Sequence, residues 1–161
     1  MIKHIIGNIE HKIHSSAEIQ IAGKRWKEIT NYQYELTNQD IDELFDSAPD
    51  YNLIEDVEER FAILEYFSNF DFEKDLYTRQ ACIQPKYNND ENMAACLSTL
   101  QVIIRESGIE LHVFVRSQNF TTNFLYDNKT YAMIVKQLSK RLKLNVFKVF
   151  IKITSLHIQI Y

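Results

Sequence analysis

Five polar or reactive side chains interrupt segments that otherwise consist of core residues: Cys96, Arg116, Ser117, Asp127 and His157. A cysteine is readily activated as a nucleophile, because a positive charge nearby favours its thiolate form. An Arg-Ser pair at the end of a strand is well suited to holding phosphate or another anion. Each feature also has a purely structural interpretation, since a cysteine beside an apolar strand is commonly a packing residue and an arginine at a strand end is commonly solvated.

A β-sheet must position these residues, because most of them lie in or beside runs with strand character. A period of two over residues 13–21 predicts a first strand, and aromatic and β-branched residues predict a second over 26–36. Gly23 is expected in the turn of the hairpin that joins them. Five further strands are predicted at 77–84, 97–104, 110–117, 147–153 and 156–161.

Two main helices complete the predicted fold. Apolar residues at steps of three and four predict an amphipathic helix over 54–67, and the same pattern with exposed lysines predicts another over 130–143. The acidic segment 38–51 predicts a short helix and a loop. The sequence therefore predicts an α+β fold with a mostly antiparallel sheet.

Length and composition indicate a single domain over residues 1–161, with an N-terminal hairpin region at 1–37 and a core at 54–161. The net charge of -4 gives no basic surface for nucleic acid, and the apolar runs are too short to span a membrane. No signal-like stretch opens the chain, so we expect a cytoplasmic protein. Two cysteines, three glycines and histidines without ligand spacing do not support a disulfide scaffold, a metal site or a glycine-rich phosphate loop.

The same polar residues carry a resemblance to the thymidylate synthases and deoxycytidylate hydroxymethylases. The order and spacing are similar at four places, which are Cys96 with Gln101, Arg116-Ser117, Asp127 with Tyr131 at the opening of a helix, and Ser155-Leu156-His157-Ile158. No gap is needed between positions 116 and 157. Residues 77–81, Tyr-Thr-Arg-Gln-Ala, resemble the Thr/Ser-Arg-Arg-Ala strand of this family, and residues 23–36 resemble an early hairpin.

The resemblance implies a thymidylate synthase-like fold with a pyrimidine nucleotide site. Cys96 would add to C6 of the base and make C5 nucleophilic, while Arg116 and Ser117 would hold the phosphate. His157 would hydrogen-bond the 3′-hydroxyl of the sugar. Arg79 would reach the phosphate bound by a neighbouring subunit, because the sites of this family are shared across a two-fold homodimer that forms through the sheet.

The base preference implied by the resemblance depends on residue 127. Synthases that read uracil have Asn at the matching position, whereas the deoxycytidylate hydroxymethylases have Asp. A carboxylate accepts a hydrogen bond from the exocyclic amine of cytosine and repels O4 of uracil, so Asp127 favours cytosine. Asn128 follows directly, and a register one residue later would place an amide at this position and favour uracil.

Several positions depart from the family pattern and predict reduced activity. Gln80 replaces a second Arg, Ala95 replaces the Pro before the nucleophile, Asn119 replaces an Asp, and Gln159 replaces a sugar-binding Tyr. The sequence ends at Tyr161, where relatives continue into a tail that closes over folate. No segment matches the Glu and Trp that organise the folate, so we expect the site for methylenetetrahydrofolate to be incomplete.

Two functions remain open on the sequence alone. The first is an enzyme, a folate-dependent C5 methyl- or hydroxymethyltransferase acting on dCMP or dUMP. The second is a catalytically inactive relative that binds a nucleotide or uses its dimer sheet as a scaffold for a protein partner. The sequence does not decide between them, and it gives neither the pathway nor whether a partner completes the folate site.

Overall fold

A computed structural model describes residues 2–47, 57–84 and 96–161 of the chain. Outside these residues lie Ile54, with which the first main helix is predicted to begin, and Ala95. The loop predicted after the short acidic helix also lies outside them.

The described residues form one sheet of six strands: β1 (Glu18–Ile21), β2 (Lys24–Leu36), β3 (Cys82–Ile83), β4 (Leu97–Arg105), β5 (Gly108–Asn119) and β6 (Val146–Ile160). The strand order is β1-β2-β6-β5-β4-β3. Neighbouring strands are antiparallel except for β5 and β6, which are parallel. The sheet is therefore mixed but mostly antiparallel, as predicted.

Four helices accompany the sheet in the described part of the chain: α1 (Ile2–Ser15), α2 (Asn38–Asp46), α3 (Val57–Asn69) and α4 (Phe124–Leu142). Their buried side chains form a single apolar cluster with the inward-facing residues of the strands. Parallel neighbours need a long crossover connection, and α4 joins the parallel strands β5 and β6 in this way. The fold class is α+β, as the sequence predicts.

The prediction of a strand over residues 13–17 is wrong, because α1 extends to Ser15 and β1 begins only at Glu18. Ile13 belongs to a buried stripe with Ile2, Ile5 and Ile9, whose spacings of three and four residues suit a helix. A short alternating run at the end of a helix imitates a strand. The predicted hairpin is confirmed, with Ala22 and Gly23 both at positive φ in its turn.

Three other boundaries differ from the prediction. The strand predicted at 77–84 is reduced to two residues, because the side chains of Asp75 and Thr78 accept hydrogen bonds from nearby backbone N–H groups and form turns. α4 begins at Phe124, earlier than the predicted 130. The two strands predicted after it are one continuous strand, β6.

A kink crosses four adjacent strands at one level, and we call it the sheet kink. On β5 and β6, Val115 pairs with Ile153 and Ser117 with Ser155, so that Arg116 and Thr154 lie between paired positions. Asn31 of β2 has a φ of 53° at the same level, and the pairing of β4 shifts between residues 97 and 99. Side chains beyond the kink therefore alternate in the opposite phase.

The change of phase is visible in the burial of β5 and β6. On β5, Val113 and Val115 are buried before the kink and Gln118 is buried after it. On β6, Ile153 is buried before the kink and Leu156 after it. The phase change explains why the alternation in the sequence predicts two strands where β6 is one. It also places Gln118, a polar residue of β5, on the side of the sheet that the helices cover.

Candidate functional site

Cys96 and Arg116 are in direct backbone contact. The backbone N–H of Arg116 donates to the carbonyl oxygen of Cys96 at 2.7 Å. Both side chains are exposed, and Arg116 lies within the sheet kink. The predicted nucleophile and the predicted phosphate ligand are thus carried by adjoining segments, one just before β4 and one near the end of β5.

Ser117 and His157 lie at the same end of the sheet. Ser117 pairs with Ser155 of β6, and Asn119 pairs with His157 two residues further along. The backbone N–H of Phe120 donates to the carbonyl oxygen of His157 at 2.9 Å. The end of β5 and the last third of β6 are therefore fixed to each other where three of the predicted site residues lie.

His157 is half-buried between strands β2 and β5. The ring of Trp26 meets it edge-on with the ring centres 5.2 Å apart, and Glu28 is its pairing partner on β2. Burial lowers the pKa of His157, and this outweighs the opposite effects of a backbone hydrogen bond at Ser155 and the charge of Glu28. The imidazole is accordingly neutral near pH 7, the form that can both donate and accept a hydrogen bond.

Trp26 and Glu28 are neighbours of the candidate site that sequence reasoning did not assign to it. They belong to the N-terminal hairpin and are far from His157 in the chain. Their proximity results from the antiparallel register of β2 on β6, in which Glu28 pairs with His157. A period of two predicts a strand but not its partner, so no local signal identified them.

Asp127 lies in the first turn of α4 and is half-buried. Its Oδ2 accepts a hydrogen bond from Nε2 of Gln118 at 2.7 Å. Asn128 is fully enclosed, with Oδ1 accepting from the Tyr34 hydroxyl at 3.0 Å and Nδ2 donating to the carbonyl oxygen of Phe124 at 2.7 Å. Of the two neighbouring candidates, the carboxylate is the one that reaches accessible surface.

We call Tyr34, Gln118, Asp127 and Asn128 the polar cluster. Burial raises the pKa of Tyr34 far above its usual value, and the charge of Asp127 acts in the same direction against the hydrogen bond to Asn128. Gln118 is only 2% exposed, and its Oε1 has no hydrogen-bond partner among the described residues. Such an acceptor costs about 1–3 kcal/mol of stability.

Arg79 lies apart from the other predicted site residues of the same chain. Its side chain is exposed, and its carbonyl oxygen accepts from Nε2 of Gln101 at 2.8 Å. Gln101 is five residues beyond Cys96 on β4, which corresponds to roughly 15 Å along a strand. The backbone of Arg79 is therefore anchored near the middle of β4, whereas Cys96 precedes the start of that strand.

Cys82 lies in an apolar run of the sequence, which predicts a packing role in a strand, but the structure does not bury it. Its side chain is exposed on the short strand β3, and its carbonyl oxygen accepts from the Tyr66 hydroxyl at 2.8 Å. The strand is too short and too near the edge of the sheet to enclose both of its faces. Both cysteines of the chain are consequently accessible.

Two depressions of the described surface lie away from these residues. One occupies about 370 Å³ on the sheet face opposite the helices, lined by Gln33, Glu35, His112, Phe114, Phe150 and Lys152 among others. The other occupies about 330 Å³ between α2, α4 and the turn before β5. Residues 2–47, 57–84 and 96–161 contain no cluster of His, Cys, Asp and Glu that could hold a metal ion. None of their helices is long and apolar enough to cross a membrane.

Comparison with known proteins identifies no relative of this chain. No family model matches the chain, and a search of curated proteins gives no match.

Proposed function

We propose that this chain is a divergent relative of the thymidylate synthases that binds a pyrimidine deoxynucleoside monophosphate where β5, β6 and α4 meet. The observation that carries the proposal is the contact between the Arg116 N–H and the Cys96 carbonyl. It brings together two residues that the family resemblance pairs in one site although they are twenty positions apart in sequence.

Each remaining candidate residue has a role in this proposal. Arg116 and Ser117 offer a guanidinium and a hydroxyl for the phosphate. His157, neutral and half-buried, offers a hydrogen bond to the sugar. Asp127 offers a carboxylate to the base, and the enclosure of Asn128 supports the register that favours cytosine.

A homodimer through the sheet belongs to the same proposal. The sheet face opposite the helices has an exposed aromatic ring, Phe114, which is 44% exposed. His112 stacks on Phe150 beside it, with ring centres 4.8 Å apart. We call the surface formed by Gln33, Glu35, His112, Phe114, Phe150 and Lys152 the open face. In this proposal a second copy on this face brings Arg79 to the phosphate of its partner's site, as the family resemblance implies.

Catalysis is the stronger form of the proposal, and the exposure of Cys96 supports it. The thiolate adds to C6, the C5 carbon takes up a proton, and loss of the original C5 hydrogen with elimination of the thiolate restores the base. Transfer of a one-carbon unit would need methylenetetrahydrofolate as the donor. The alternative is a binding protein or scaffold without turnover, which needs the phosphate ligands but not the thiol.

Titration calorimetry with dCMP and dUMP tests the binding site. Arg116→Ala should weaken binding of both nucleotides by at least about tenfold, because a charge-assisted contact to phosphate contributes about 1.5–3 kcal/mol. Arg105→Ala is the matched control, since Arg105 is an exposed arginine at the opposite end of β4. Wild-type protein that binds neither nucleotide, or equal weakening by both substitutions, would refute the proposed site.

A further inference from the structure

Gln118 is in contact with the carboxylate of Asp127, the group that is proposed to hydrogen-bond the base. It is buried, and its Nε2 donates to Oδ2 of Asp127 at 2.7 Å. The sheet kink puts it there, because β5 changes phase between Val115 and Gln118 and turns residue 118 toward α4. A continuous alternation would have placed Ser117 on that side.

The orientation of the Gln118 amide is set by its contact with Asp127. Turning the amide by 180° would bring Oε1 against the carboxylate, so that two acceptors faced each other. In the favourable orientation Nε2 meets Asp127, and Oε1 is left buried with no partner among the residues of the described chain. An apolar side chain at position 118 would avoid this unsatisfied acceptor, so stability alone does not explain a glutamine.

We propose that Gln118 is a positioning residue for base recognition, holding the Asp127 carboxylate in the orientation that accepts a hydrogen bond from a 4-amino pyrimidine. A carboxylate has about four lone-pair positions, so the bond from Gln118 leaves it able to accept from a ligand as well. Asp127 is half-buried and reaches the surface, whereas Gln118 does not. The role rests on the proposed nucleotide site and specifies its ligand as dCMP in preference to dUMP.

The dissociation constants of dCMP and dUMP for wild type and Gln118→Met test this role. Wild type should bind dCMP at least about tenfold more tightly, and the substitution should reduce the ratio to less than about threefold, because Asp127 loses the donor that orients it. The thermal midpoint should change little, since methionine fills a similar volume and loss of the hydrogen bond to Asp127 is offset by removal of the buried unsatisfied acceptor. A merely structural glutamine would give the reverse result, a lower midpoint with an unchanged ratio.

Gln118→Glu gives a second readout that depends on pH. In mildly acidic solution the introduced carboxyl group and that of Asp127 should share a proton, and the protonated side chain at position 118 can donate to Asp127 as the amide does. In mildly alkaline solution the shared proton should be lost, and the preference for dCMP should fall. Wild type should show a smaller change of this ratio over the same pH range, because an amide at position 118 does not titrate and the phosphate is common to both ligands.

The outcomes separate this inference from the site on which it rests. Wild-type protein that binds neither nucleotide overturns the proposed function and the role of Gln118 together. Wild-type protein that binds dUMP more tightly, or a Gln118→Met variant that keeps the preference for dCMP, overturns the role of Gln118 and leaves the nucleotide site standing.

Discussion

At the scale of single residues, the two cysteines differ in their neighbours although both are exposed. The carbonyl oxygen of Cys96 accepts from the backbone of an arginine, whereas that of Cys82 accepts from the hydroxyl of Tyr66. If the chain is an enzyme as proposed, covalent chemistry is expected at Cys96, whose backbone contacts Arg116, rather than at Cys82.

Release of tritium from 5-tritiated dCMP and dUMP, with and without methylenetetrahydrofolate, measures this chemistry. If the chain is an enzyme, Cys96→Ala should abolish release and Cys82→Ala should leave it at the wild-type rate. Release that persists in Cys96→Ala would exclude this residue as the nucleophile. A wild-type protein that binds nucleotide without releasing tritium would instead be the non-catalytic relative.

At the scale of elements, α2 shows how local hydrogen bonds start a short polar helix. Thr37 and Asp40 form a capping box, in which the Asp40 N–H donates to the Thr37 hydroxyl and the Thr37 N–H donates to Asp40 Oδ2. Burial acts to raise the pKa of Asp40, but the hydrogen bonds from Thr37 contribute to a net lowering. The helix start therefore depends on an ionised carboxylate.

Thr37→Ala should lower the free energy of unfolding by about 1 kcal/mol at pH 7, because the cap is lost. A lowered pKa means that the Asp40 contribution is present above the unfolded-state value near 3.9 and is lost as pH falls through the folded-state value. The difference between wild type and variant should consequently shrink in strongly acidic solution. Urea unfolding at several pH values measures it, with Thr122→Ala, at an exposed threonine before α4, as the control. A difference independent of pH would contradict this account.

At the scale of the whole molecule, the helices lie on one side of the sheet and the open face lies on the other. Phe114 sits in the open face with basic and acidic neighbours, and Lys148 pairs with Glu35 at 2.6 Å nearby. Aromatic residues surrounded by polar ones are characteristic of protein interfaces. This arrangement supports the homodimer that the site needs if Arg79 is to contribute.

If the proposed homodimer forms through the open face, Phe114→Glu should weaken it, because the substitution would place a charge in a contact from which water is excluded. Sedimentation should give twice the chain mass of 19.1 kDa for wild type and a dimer dissociation constant at least about tenfold weaker for the variant. Phe45→Glu is the matched control, since Phe45 is 40% exposed on α2, away from the open face. A monomeric wild type, or an unchanged Phe114→Glu dimer, would contradict the proposed assembly.

Local patterns predicted most elements of the fold but not their arrangement. The hairpin at Gly23 and the strands β2, β4 and β5 follow from a period of two and from turn residues. α1 is not predicted, although the spacing of its isoleucines suits a helix, because the alternation in its last turn is also typical of a strand. The kink was not predicted, because a change of phase in one strand has meaning only beside its neighbours.

For the candidate site, the sequence indicates which residues are involved but not how they contact one another. Cys96, Arg116, Ser117, Asp127 and His157 could be selected by residue type and by resemblance, and their roles remain predictions. The sequence does not indicate a role for Gln118, because a single glutamine after Arg-Ser matches no motif. Its interest comes from burial and from one contact with Asp127, both of which require the fold.

The sheet kink also has a consequence for how this protein can change over evolution. At the sheet kink, four adjacent strands reverse the alternation of their side chains. Adding or deleting one residue within any of these strands would therefore turn its apolar side chains outward, while those of the neighbouring strands would still point inward. Changes of chain length are therefore expected in the connections, and homologous chains should conserve the number of residues between Arg116 and the end of β5 more strictly than the residues themselves.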